Sequence, residues 1–386
     1  MSVRLLFLGE LCLHKSAFLP FLSTHGYDIT VINTSHWSFP KKITGTDISV
    51  YNLYENTKTG LLFRQSGWFE KALFYGLVGK TSFICDKIQK VIKQKGIDVI
   101  YSSWGSHSLP ELRLVQEFGV PVVYDFVAYP TSLHSFAEKT ENALNRSVIN
   151  GLDGRVLPTQ RMLHYLKTVF NLRDGENIVF TESYSRRTHY RRRLPRLSDS
   201  DGKPHLIFLG LNEWTILSQL EEMMRRGIHL HVVETRKGLR QRLRKSEFKS
   251  FRHEFKKFDL SRVLDGTLAT FMTQFDACLV TYNFGKASTL NRFFNSIPNR
   301  FSFSLTAGIP IIMPKGYLKG CEEIINKHQI GFTYTDYNDL KNKLNDTELM
   351  NYYRHNAAAK ANLFTLEANF KKIDVFLRKI AKVPLK

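Results

Sequence analysis

The chain has 386 residues, more than one comfortable hydrophobic core, so two domains are the prior. A hydrophobic fraction of 43% with 13% aromatics excludes a disordered chain, and no apolar run reaches the roughly 18 residues that would span a membrane. The formal charge of +20, from 55 Lys and Arg against 35 Asp and Glu, favours an anionic partner: nucleotide phosphates, an acidic membrane or nucleic acid. Four cysteines (Cys12, Cys85, Cys278, Cys321) lie without paired spacing, as reduced thiols of a cytosolic protein would, and carry no zinc signature.

The first half alternates strands with helices. Leu5 to Leu8 is an apolar run that reads as a buried first strand rather than a signal peptide, since Glu10 and His14 interrupt it. Leu11 to Ser23 follows at helical spacing, and His25-Gly26-Tyr27-Asp28 turns into the strand Ile29 to Ile32. Gly96 leads into a strand ending on Ser102 and Ser103. A helix is expected over Leu109 to Phe118, then Gly119-Val120-Pro121 and the strand Val122 to Asp125. Val156-Leu157 is a short strand before a helix ending near Phe170. Continuous apolar strands separated by helices predict a parallel sheet covered on both faces. From Ser185 to Pro204 an arginine cluster and Ser198-Asp199-Ser200-Asp201-Gly202 read as a linker.

The pattern then restarts with His205 to Gly210, a helix near Thr215 to Arg226, and a strand over Gly227 to Val233. Arg236 to Lys257 holds ten Lys and Arg against two Glu, interleaved with phenylalanines. Phe275 to Val280 is a further strand. The last helix, Leu366 to Lys382, carries Phe370, Ile373, Phe376, Leu377 and Ile380 on one face. The stretch Asn299 to Ile312 reads as helix, turn and strand, with Gly308 as helix stop and Pro310 barring continuation.

That last stretch, Asn299-Arg300 through Ala307-Gly308-Ile309-Pro310, closely resembles the donor-binding segment of GT-B glycosyltransferases. Gly26 to Val31, Ile97 to Tyr101, Gly119 to Val123 and Phe275 to Tyr282 are similar to further stretches of the family, in the same order. The resemblance is to the family-4-like group, with one departure: its paired glutamates are replaced by Asn295 and Phe303. It implies an α/β protein of two Rossmann-like parallel-sheet domains facing across a cleft. The expected boundaries are an acceptor-binding domain at 1–185, a basic linker at 186–204, a donor-binding domain at 205–365, and a last helix at 366–386 packing back on the first domain.

Ligands of open parallel sheets bind beyond the carboxyl ends of the strands. Glu10, His14 and Asp125 lie there in the first domain and are the catalytic candidates, as base or acceptor-positioning groups. In the second, Gly210 could offer backbone N–H to phosphate, and Arg236 and Lys237 could neutralise a diphosphate. The resemblance adds Asn299 and Arg300 to the donor site, and Tyr282 and Asn283 close the preceding strand. Arg64, Trp68, Phe69, Lys71 and Phe74 have the composition of a segment lying on anionic lipid.

The function expected is therefore transfer of a sugar from a nucleotide-diphosphate sugar to a glycan or lipid-linked glycan acceptor, of hexosyltransferase type, in polysaccharide biosynthesis. The location expected is the cytoplasm, peripheral at the membrane face. No metal and no cofactor beyond the co-substrate are expected, because basic groups and helix N-termini can neutralise the diphosphate. A GT-B-type nucleotide-sugar epimerase and a basic nucleic-acid-binding protein are the alternatives. No helix-turn-helix, zinc or RNA-binding signature supports the latter.

Overall fold

The computed structural model describes residues 1–11, 13–34, 41–43, 45–53, 82–103, 112–113, 115–127, 146–172, 175–181, 186–190, 192–210, 215–233, 252–253, 263–285 and 293–385. They form two compact units, Met1–Thr181 with Phe370–Lys386, and Glu182–Asn369.

The first unit runs β1 (Val3–Gly9), α1 (Leu13–Ser23), β2 (Tyr27–Asn33), β3 (Ser49–Asn52), α2 (Ser82–Lys95), β4 (Val99–Ser103), β5 (Val122–Asp125), β6 (Gly154–Leu157), α3 (Gln160–Phe170) and β7 (Glu176–Val179). Its strands are all parallel, in the order β3-β2-β1-β4-β5-β6-β7. Val99 to Tyr101 and Val122 to Tyr124 are almost wholly buried, the signature of a sheet covered on both faces. The edge strands β3 and β7 went unread because Ser49-Val50-Tyr51-Asn52 and Glu176-Asn177-Ile178-Val179 are polar and half-exposed. Of the helix expected over 109–118, the described residues Leu112, Arg113 and Val115 are α-helical and run into a 3-10 turn, Gln116–Phe118, stopped by left-handed Gly119.

The second unit runs β8 (His205–Leu209), α4 (Leu217–Arg225), β9 (His229–Val233), β10 (Arg252–His253), α5 (Thr267–Met272), β11 (Ala277–Leu279), α6 (Asn299–Ala307), β12 (Ile311–Pro314), α7 (Lys319–His328), β13 (Gly331–Tyr334), α8 (Tyr337–Asn345) and α9 (Thr347–Lys360). The order β10-β9-β8-β11-β12-β13 is again parallel throughout. Gly308 takes φ +60° and its N–H returns to Leu305 and Ser304, so α6 stops there as a left-handed cap requires. Residues 186–204 are not a free tether. Leu197 N–H donates to Gln274 O, Leu194 N–H to Thr273 Oγ1, and Ser198 Oγ to Asp276 Oδ1, which fastens them to the second unit.

The last helix, α10 (Leu366–Ala381), returns its latter part to the first unit. Phe370 meets the Phe21 ring edge-on at 5.6 Å, Asp374 accepts from the Tyr27 hydroxyl at 2.7 Å, and Phe376 and Ile380 crowd Gly154. The buried face of Ile373, Phe376, Leu377 and Ile380 is the stripe legible in the sequence. Among the described residues no helix is long and apolar enough to cross a membrane.

Candidate functional site

In the second sheet the chain order reverses between β8 and β11, which places the ligand crevice of such a sheet beyond their carboxyl ends. One buried side chain organises this point. Arg300, 4% exposed on the first turn of α6, donates from Nε to Leu209 O at 2.6 Å and from Nη1 to Thr281 O at 2.6 Å. Its Nη2 donates to Gly210 O and, at 3.1 Å, to Thr215 Oγ1. The guanidinium lies 4.2 Å from the Phe208 ring centroid and 4.3 Å from that of Tyr282. Carbonyl dipoles and two π faces thus replace the water that burial removes. The result is a clamp tying the end of β8 to the end of β11.

Beyond the clamp lies a cavity of about 340 Å³, within the range of small-molecule sites. Aromatic rings from three loops line it: Tyr282 and Phe284 after β11, Tyr317 after β12, Tyr334 and Tyr337 at and after β13. Phe284 and Tyr317 stack at 4.7 Å with 7° between planes, and Tyr282 stacks on Phe293 at 4.1 Å. Thr281, Gln219 and Thr335 add polar groups. Asp336 is committed, its carboxylate accepting from Asn338 and Asp339 N–H as the cap of α8. Burial pushes the Tyr334 phenol up and the Cys278 thiol, on β11, up to about 12, so both stay protonated at neutral pH. A flat aromatic slot with a few polar atoms suits a planar heterocycle.

The structure places the expected donor residues unevenly. Tyr282 lines the cavity, and Asn283 sits beside it with Oδ1 turned over Gly285. Gly210 stands at the switch point with φ +69°, but its N–H donates to Val233 O at 3.0 Å and is not offered to a phosphate. Arg300 spends its donors on three carbonyls and the Thr215 hydroxyl rather than aiming them outward. Asn299 is exposed at the start of α6. Arg236 and Lys237 lie outside the described residues, as do Arg64, Trp68, Phe69, Lys71 and Phe74. The sequence reading missed Phe284, Tyr317, Tyr334 and Tyr337, because rings spread over more than 50 positions share no local pattern.

In the first unit, Asp125 ends β5 in register with Ser103, itself in register with Gly9. It is 3% exposed, and Oδ2 accepts from Lys15 Nζ at 2.6 Å and from Tyr101 OH at 2.7 Å. Lys15, fully buried, comes from α1 and also lies over the Tyr101 ring. This is a neutralised ion pair rather than an open carboxylate. Glu10, half-buried just beyond β1, keeps an ionisable group at the sheet's carboxyl edge, and burial raises its pKa above the ordinary glutamate value. His14 lies on α1, with its side chain outside the described residues.

No protein-family model matches the chain, and no curated protein is similar to it in sequence. Solved structures are similar to it over nearly its whole length. The sucrose-phosphate synthase of Thermosynechococcus elongatus superposes with a TM-score of 0.70 at 12% identity, covering 98% of this chain and 99% of that one. Anabaena HepE in complex with UDP and glucose gives 0.66 at 15%, covering 97% and 100%. The lipopolysaccharide outer core galactosyltransferase WaaB gives 0.61 at 12%, covering 98% and 99%. The fold is that of the GT-B glycosyltransferases: two α/β units, each with a parallel sheet.

Proposed function

We propose that the protein is a glycosyltransferase of hexosyltransferase type that takes a nucleotide-diphosphate sugar and delivers the sugar to a glycan or lipid-linked glycan acceptor in polysaccharide biosynthesis. The aromatic cavity at the carboxyl edge of the second sheet carries this reading, since it offers a slot for a nucleobase beside a clamp that fixes the loops around it. The UDP complexes of HepE make uracil the first base to try. Asn299 at the start of α6, with Arg236 and Lys237, would meet the diphosphate, where a helix N-terminus and basic groups favour negative charge. Neutralised this way, the leaving diphosphate needs no metal.

Acceptor chemistry belongs to the first unit in this reading. Glu10 is the base, its raised pKa bringing it nearer the hydroxyl proton it must accept at working pH. Asp125, held by Lys15 and Tyr101, positions α1 and the loop after β1. Asn295 and Phe303, buried where the family-4-like group carries glutamates, leave the ribose to other partners. The basic aromatic segment of Arg64, Trp68, Phe69, Lys71 and Phe74 would dock the enzyme reversibly on an anionic cytoplasmic membrane surface, each base adding on the order of 1 kcal/mol.

A thermal-shift screen against UDP, GDP, CDP, ADP and CMP tests the reading, because a ligand that binds only the folded protein raises its melting temperature. One nucleoside diphosphate should stabilise selectively. No shift with any of them contradicts the proposal.

A further inference from the structure

The opposite, amino-terminal edge of the second sheet carries a separate cluster. His205 opens β8, and in register beside it His229 opens β9, with His231 two residues further on the same face. The helical turn Ser198–Asp201 ends directly before β8. We propose that Asp201, His205 and His229 bind a divalent cation of the zinc class that staples this turn to β8 and β9.

The donor atoms already converge. Asp201 Oδ1 and Oδ2 each lie 3.1 Å from His205 Nε2, and His229 Nδ1 lies 4.0 Å from Asp201 Oδ2. All three ligand atoms fall within 4.8 Å of one another. A tetrahedral ion with ligands at about 2.1 Å holds them roughly 3.4 Å apart, so binding asks only a small inward turn of the exposed-side ligands. Two imidazoles and one carboxylate are a mixed N/O set that suits a borderline cation, with a water completing the tetrahedron.

The cluster also has its supporting shell. His205 Nδ1 lies 2.7 Å from His231 Nε2, and His231 packs on the Phe275 ring at 5.0 Å. One proton sits between those two nitrogens. Without a metal, His231 Nε2–H donates to His205 Nδ1, and His205 Nε2–H donates to Asp201. With a metal, both rings change tautomer: His231 carries its proton on Nδ1 instead of Nε2, and His205 carries its own on Nδ1 and donates it to His231 Nε2, which frees the His205 Nε2 lone pair for the ion. A ligating histidine whose other nitrogen is held by a hydrogen bond is the usual metal-site arrangement. His205 and His231 are 6% exposed, so the relay is shielded, while Asp201 at 38% leaves an entry path.

The staple is remote from transfer chemistry. β8 carries four residue steps from His205 to Leu209, about 13 Å of strand between this edge and the clamp. The cation therefore acts on stability and leaves nucleotide binding alone.

The test is titration of tag-free, EDTA-stripped, full-length protein with Co²⁺, followed by its visible absorption, and with Zn²⁺ by calorimetry. One ion per chain with tetrahedral cobalt bands is expected, and at least tenfold weaker binding in Asp201→Asn and His229→Gln. Both variants and the stripped wild type should keep the UDP-induced thermal shift; its abolition on stripping would contradict the separation of staple and pocket. On wild-type protein alone, Zn²⁺ should protect His229 from diethyl pyrocarbonate while exposed His355 still reacts. No stoichiometric ion, binding unchanged in both variants, or unprotected His229 overturns the proposal.

Discussion

Replacing Arg300 by methionine removes the clamp while keeping a long apolar stem between Phe208 and Tyr282. Four hydrogen bonds go at once, to Leu209 O, Thr281 O, Gly210 O and Thr215 Oγ1. Three of the acceptors are strand-end carbonyls that the guanidinium bridges across the switch point. Leaving each without its donor costs about 1–2 kcal/mol, so the loss should be on the order of 4 kcal/mol once some water enters. Against the ~5–15 kcal/mol that holds a typical domain together, this is a large share. Arg300→Lys should recover little, since one ammonium cannot span the forked geometry. The assay is urea unfolding with UDP titration of the folded fraction. Both variants should unfold at lower urea and bind nucleotide more weakly, in proportion. Wild-type stability with a selective loss of UDP affinity would refute the clamp and make Arg300 a direct ligand of the diphosphate.

Lys15→Met strands the Asp125 carboxylate in the first core and should cost about 3–5 kcal/mol in chemical denaturation, whereas Lys15→Met with Asp125→Leu should regain most of it; equal cost for single and double variants would refute the pairing. Because burial raises the Glu10 pKa, the native state binds its proton more tightly than the unfolded chain, so this residue's contribution to stability falls as pH rises through the raised value. The acid limb of the transfer-rate profile should accordingly lie above an ordinary glutamate pKa and vanish in Glu10→Gln; an unchanged profile removes Glu10 as base. Tyr317→Ala unstacks an exposed ring from Phe284 and should weaken UDP binding up to about tenfold with an unchanged melting temperature. Unaltered affinity would take the base away from that wall of the cavity.

Much of the fold is legible in the chain because each signal is local. Gly308 stops α6 by adopting a backbone that a side chain disfavours, and Val122 to Tyr124 advertise a covered strand by being apolar at every position. The Arg300 clamp is not legible, since three of its four acceptors are backbone carbonyls that carry no side-chain signature and lie up to 91 positions away. Lys15 escaped notice for a related reason: a lysine on an amphipathic helix reads as solvated until the fold sets it 2.6 Å from Asp125. The linker reading of 186–204 followed its arginines and Ser-Asp pairs, but Arg193 and Ser198 find partners in Gly308 and Asp276 that only tertiary structure supplies.

Hydrogen exchange of the full-length protein with and without saturating UDP tests the central claim most directly. Slowed exchange is expected at 281–285, 315–317 and 335–337, the loops that line the aromatic cavity, with the amino-terminal edge of the second sheet unchanged. Protection confined to the first unit, or none at saturating nucleotide, would contradict the account.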